Sequence, residues 1–270
     1  MTARRHTQPI SRREAFRVGG VTLSLAAIVA ACGEDRDGDT DPGRVGNAPP
    51  VTAIPDYPVN DVVLLRTASS LELTAVFVLN TAKALVSFDD DTAALVNRLI
   101  ANHNATAATM GELTVAAGGE AWNDTNPWIM EQAVTPILAT ISGSDDVTRD
   151  IQTLLITFEN LAAATHQNLS GLLSESSQRV AVTMAAAQES RHSATLVLDS
   201  FGTANRFSPA LVGEEVTRTA DNVLPQYAVA TQFGSVAQIE MIVGAADVNG
   251  TRSTYILSTP AENSFIYEEL

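Results

Sequence analysis

Several things are scarce in this chain of 270 residues. It has one cysteine, Cys32, and one lysine, Lys83. Basic residues number 16 against 31 acidic ones, and the deficit deepens after Cys32, to 11 against 30. A surface so short of positive charge argues against nucleic acid or an anionic substrate as partner. There is no Gly-x-Ser-x-Gly elbow for a hydrolytic serine and no glycine-rich loop to cradle a phosphate. No apolar run after residue 31 reads as long enough to cross a membrane. The lysine scarcity, beside abundant Ala, Arg, Asp and Thr, reads as composition bias and has no functional weight. What is abundant is apolar: 45% of the chain is hydrophobic, enough for a sizeable core and one main domain.

Residues 1–32 read as an address. Arg12-Arg13 precede Glu14-Ala15-Phe16-Arg17 and an apolar run over 18–31 that Gly19-Gly20 interrupts. A basic start, a short apolar stretch and small residues before a break make an export signal. The paired arginines resemble a twin-arginine signal, which exports proteins already folded; Ala15 stands where that pattern prefers Phe, so export in the unfolded form stays open. Val29-Ala30-Ala31-Cys32 resembles a bacterial lipobox, which implies that Cys32 is lipidated and anchors the chain to the outer face of the cytoplasmic membrane. A soluble secreted protein with an incidental cysteine is the alternative. Residues 33–58, rich in Gly, Pro and Asp, have almost nothing to bury and read as a disordered tether. Their acids lack the ordered loop and bidentate glutamate of a calcium site.

Residues 59–203 read as four long helices. Asn60 is a suitable cap for the first, which runs without Gly or Pro to about residue 88. Asp89 to Asp91 break the chain and open a second, ended by Gly118-Gly119. Residues 118–144 hold both tryptophans and read as a long crossover with a short helix near 128–140, Trp122 and Trp128 forming a lid over one end of the core. A third helix spans about 145–173, and a fourth ends near Gly202. Beyond a polar bridge, residues 204–270 read as a small antiparallel β-appendage. Its strands are expected near 227–233, 236–243 and 251–259, with an Asn249-Gly250 hairpin turn and a further strand at 264–268.

Isolated acids and histidines interrupt the apolar faces of these helices. Glu72 lies in register with Leu65, Ala68, Ala75 and Leu79; Glu159 with Leu155, Ile156, Ala162, Ala163 and His166. His103 aligns with Val96, Leu99, Ile100, Ala107 and Met110. Glu189 and His192, three residues apart, share one face with Val182, Ala185, Ala186 and Leu196. A buried carboxylate or imidazole is costly unless a charge or hydrogen bond meets it. Either a metal ion or an internal hydrogen-bond network would serve.

A four-helix bundle with one long crossover is the ferritin-like arrangement. Over residues 58–200 the chain resembles the ferritin-like domain proteins of bacterial exported or lipid-anchored type. The segments that carry the likeness are LRTASSLE (65–72), ANH (101–103), FENLAAATH (158–166) and AAAQESRH (185–192). The resemblance implies iron or manganese at mid-bundle, held by Glu72, His103, Glu159, Glu189 and His192. One carboxylate is missing, because Ile100 stands where the second helix of such proteins carries a glutamate, and Glu112 is too far along to replace it. One metal ion, or two completed by water or His166, are both compatible. A homodimer is admissible and no protein partner is indicated. The function implied is metal or peroxide handling by a membrane-anchored protein. The competing reading is a metal-free scaffold or interaction module.

Overall fold

The fold follows from where helix signals start and stop. The structure is a computed structural model and describes residues 58–202 and 238–267. The export signal, Cys32, nearly all of the tether and the strand expected at 227–233 lie outside those residues.

Helix α1 (Asp61–Leu85) begins where the Asn60 side chain accepts the Val63 N–H at 3.0 Å. That bond satisfies one of the amides a helix start leaves free, and Asp61 adds negative charge at the positive end. Helix α2 (Asp90–Ala116) starts the same way, Asp89 accepting from Thr92 N–H at 2.8 Å. It stops at Gly118, whose φ of +91° is left-handed backbone that a side chain would resist.

The crossover is helical from residue 127 to 142 but changes pitch. A single turn (Pro127–Ile129) runs into a π-helical segment (Met130–Val134) and then helix α3 (Thr135–Ser142). Pro136 has no N–H for the carbonyl four residues back, and the ladder widens just ahead of it, Thr135 N–H reaching Met130 O instead. Buried Asn126 pins the crossover to α1. Its backbone N–H donates to Thr74 Oγ1 (2.8 Å) and its amide to Ser70 Oγ (3.0 Å). Trp128 packs against the core, and the Arg66 guanidinium lies 5.3 Å from the ring centre of Trp122.

Helices α4 (Val147–Leu172) and α5 (Ser176–Phe201) follow, joined by a three-residue turn. Helix α5 closes at Gly202, φ +64°, whose N–H bonds Leu198 O at 2.8 Å. The main pairings are α1 with α2, α4 with α5, and α1 with α4; α2 and α5 meet more sparingly. On α2 the buried residues Val96, Leu99, His103, Ala107, Met110 and Thr114 recur three and four apart, a single inward stripe. Helices α1 and α4 are buried on most sides, because the crossover and the C-terminal segment cover what their helical neighbours do not. By length and composition α1 would pass for a membrane span, which corrects the expectation that no later run would. Yet 83% of that window is buried inside the protein, as befits a core helix.

Strands β1 (Gln238–Val243) and β2 (Ser253–Ser258) form an antiparallel pair in which Val243 faces Ser253. Ile239, Met241, Val243 and Leu257 join the same apolar cluster as Leu71, Ile137 and Leu154. The hairpin expected around Asn249-Gly250 is present, joining β1 to β2. Its connection, residues 244–252, is a loop organised by Asp247, whose carboxylate accepts N–H bonds from Asn249 and Thr251, both at 2.8 Å. One expectation fails here. The span expected to add a strand at 264–268 forms instead, as far as it is described, the end of a 3-10 turn (Glu262–Ser264) and an irregular stretch. There Ile266 N–H donates to Thr67 Oγ1 (3.0 Å), so that backbone polarity is spent on α1 rather than on a sheet edge.

Asp150, fully buried, ties this hairpin to the start of α4. It accepts from Ser144 Oγ (2.6 Å), Gly244 N–H (2.7 Å), Arg149 Nε (3.0 Å) and Arg252. Removing one partner of a buried ion pair strands the other. Asp150→Ala should therefore cost about 3 kcal/mol, read as a lower urea midpoint at unchanged m value.

Candidate metal centre

Six polar side chains meet inside the four long helices. Glu72 comes from α1, His103 from α2, Glu159 and His166 from α4, and Glu189 and His192 from α5. Glu72, His103, His166 and Glu189 are fully buried and His192 is 6% exposed. All six positions singled out in the sequence for metal thus lie in one buried cluster.

They form one continuous chain of contacts. His166 Nε2 donates to Glu72 Oε1, and the other Glu72 oxygen accepts from His103 Nδ1 at 2.8 Å. The far side of the His103 ring, Nε2, is 3.0 Å from Glu159 Oε1 and 3.6 Å from Glu189 Oε2. His192 Nδ1 stands 3.2 Å from Glu159 Oε2 and 2.9 Å from Glu189 Oε2. Its Nε2 faces the Asn102 amide at 2.9 Å. Beside them, Asn160 donates to Ser193 Oγ at 2.7 Å and locks α4 to α5, so Ser193 is engaged structurally.

Four of the six converge more closely than the rest. Donor atoms of His103, Glu159, Glu189 and His192 all lie within 4.8 Å of one another. Ligands about 2.0–2.2 Å from a shared ion lie about 3.4 Å apart in a tetrahedron and at most about 4.4 Å apart across the ion, so the set would draw inward on binding. Two imidazoles and two carboxylates make a mixed N/O donor set suited to a first-row divalent ion. Glu189 Oε1 is buried without a hydrogen-bond partner, an orphan that a cation would satisfy. Glu72 and His166 lie outside this quartet, beyond the His103 ring. Ile100, where a further glutamate was looked for, is half-buried and packs against the apolar core.

Without an ion, protons neutralise the cluster. Burial works to raise Glu72, but His103 and then His166 overcome it and hold the carboxyl down at about 2. Glu159 is likewise held well below the usual range, burial being outweighed by His103 and His192. Burial, reinforced by the Glu72 carboxylate, pushes Glu189 up to about 9. His192 rises to about 9 because Glu159 and Glu189 outweigh its burial, and Glu159 and Glu72 raise His103 in the same way. A charged His192 donates from both nitrogens and requires Asn102 to present its amide oxygen. A neutral ring protonated at Nδ1 accepts from the amide nitrogen instead. Asn102 escaped notice in the sequence, where a polar residue beside a histidine carries no distinguishing signal.

These shifts fix how the metal-free protein responds to pH. Glu189 keeps in the folded state a proton that it loses at about 4.5 in the unfolded chain, and His192 one that it loses at about 6.5. Both make stability fall as pH rises toward 9. Glu72 acts oppositely: its contribution is present above 4.5 and lost as pH falls toward 2. Chelator-treated protein should therefore be most stable near pH 5. Glu189→Gln should flatten the decline between pH 4.5 and 6.5, where Glu189 acts without His192, as read from urea midpoints across that range.

No family model matches the chain, and neither does any curated protein or solved structure.

Proposed function

We propose that this chain is a ferritin-like four-helix protein that binds iron or manganese at the centre formed by His103, Glu159, Glu189 and His192. The observation that supports the reading most is the convergence of those four donor groups in a buried site where one carboxylate oxygen has no other partner. Desolvating three carboxylates in an apolar interior is costly, and a dication offsets it more fully than the protons that otherwise must be held there. Imidazole and carboxylate together suit iron and manganese, between the thiolate preference of softer ions and the all-oxygen preference of calcium and magnesium. An ion bound there supplies Lewis acidity and, for iron, one-electron chemistry. Export and a lipid anchor at Cys32 belong to the same reading. They are supported by the paired arginines, the short apolar run and the placement of the chain's single cysteine behind small residues.

A metal-free scaffold is the second reading. What favours it is that His103 and Glu72 already have both polar atoms engaged by other side chains.

Metal analysis by mass spectrometry, on full-length protein made with its own export signal, separates the two. Iron or manganese in at least stoichiometric amount, lost in Glu189→Ala, is expected. Added Mn²⁺ at a hundred times Kd should stabilise the folded state by about 2.7 kcal/mol, a Tm rise of about 5–10 °C. Protein that is clean of metal, with a Tm indifferent to added Mn²⁺ or Fe²⁺, would establish the scaffold reading instead. Incorporation of labelled palmitate, abolished in Cys32→Ser, checks the anchor.

A further inference from the structure

We infer that the centre takes a single divalent ion, with Glu72 outside the coordination sphere as the positioning residue of His103. The inference rests on the metal-binding reading above and sharpens it. An imidazole cannot offer both nitrogens to one ion, since they sit on opposite sides of the ring. His103 turns Nε2 toward Glu159 and Glu189 and Nδ1 toward Glu72, 2.8 Å away. Glu72 therefore stands behind the ring, not beside the ion. Its second oxygen is also taken, by His166 Nε2, so each carboxylate oxygen has an imidazole partner within a fully buried setting.

His192 shows the same construction in mirror form. Nδ1 faces the carboxylates at 2.9 and 3.2 Å, and Nε2 faces Asn102 at 2.9 Å. Each histidine thus presents one nitrogen to the shared space and has the other held by a polar side chain, the arrangement that fixes a metal-ligating imidazole in tautomer and orientation. Charge agrees with the count. Glu159 and Glu189 are the two carboxylates that border the shared space, and two negative charges balance one dication. A second ion would need the carboxylate that Ile100 does not provide.

The test is titration of metal-free full-length protein with Mn²⁺, followed by electron paramagnetic resonance. One ion per chain is expected for the wild type. Glu72→Gln, which keeps the shape but leaves one acceptor oxygen for two imidazoles, should also bind one ion, with Kd raised about 10- to 100-fold. A second measurement needs no variant. In Zn²⁺-loaded wild type, long-range ¹H–¹⁵N spectra should show the ring of His103 protonated at Nδ1 and metal-bound at Nε2, and His192 the reverse. Two spin-coupled ions in the wild type, falling to one in Glu72→Gln, would make Glu72 a ligand and overturn the inference. So would His103 bound through Nδ1. Unchanged Mn²⁺ affinity in Glu72→Gln defeats the positioning role while leaving the metal site intact. A wild type that binds neither Mn²⁺ nor Zn²⁺ defeats the metal reading itself.

Discussion

Three carboxylates inside an apolar interior are the constraint to which the rest of this protein answers. Glu72, Glu159 and Glu189 come from three different helices, and all three are buried from bulk solvent. Imidazoles from other helices reach Glu72 and Glu159, Glu189 is met by His192 of its own helix, and each imidazole is placed only because its helix is held in register. The site and the packing are therefore one problem. The spacing that buries Leu99 and Met110 is the spacing that buries His103, and the stripe that carries Val182, Ala185 and Leu196 inward carries Glu189 and His192 with them.

The supports lie at the edges of the polar cluster. Asn160 and Ser193 join α4 to α5 immediately beside Glu159 and His192, so a slip between those helices would break a buried hydrogen bond before it disturbed the donors. Asn126 and Thr74 fasten the crossover along α1, and Asp150 with Arg252 fastens the hairpin to α4. None of these touches the donor set. Together they fix the two helices, α1 and α4, that carry three of the six residues of the polar cluster.

The helices were legible because their ends are written in local chemistry: Asn60 and Asp89 as caps, Gly118 and Gly202 as left-handed stops. The polar cluster was legible for a related reason, since a lone acid on an apolar stripe has few explanations. What helical periodicity cannot carry is which nitrogen of a ring faces which carboxylate. By periodicity Glu72 is equivalent to Glu159; only the position of the His103 ring, between Glu72 and Glu189, distinguishes them. Asn102 was invisible for the same reason. Asn249-Gly250 marked the β1–β2 hairpin locally, while the length of its loop is set by the Asp247 side chain two residues earlier. The Asp150–Arg252 bond joins residues 102 apart and has no local trace.

The stretch from residue 265 to 267 lies against the beginning of α1, where Phe265 and Tyr267 pack with Val63 and Leu64 and the Ile266 amide reaches Thr67 across 199 positions of chain. A ribosome must therefore release almost everything described here before the first helix can be sealed. Such distant closure slows folding and leaves an apolar flank of α1 uncovered in the meantime. Until residues 265–267 arrive, that flank has either to be shielded or to wait for its cover.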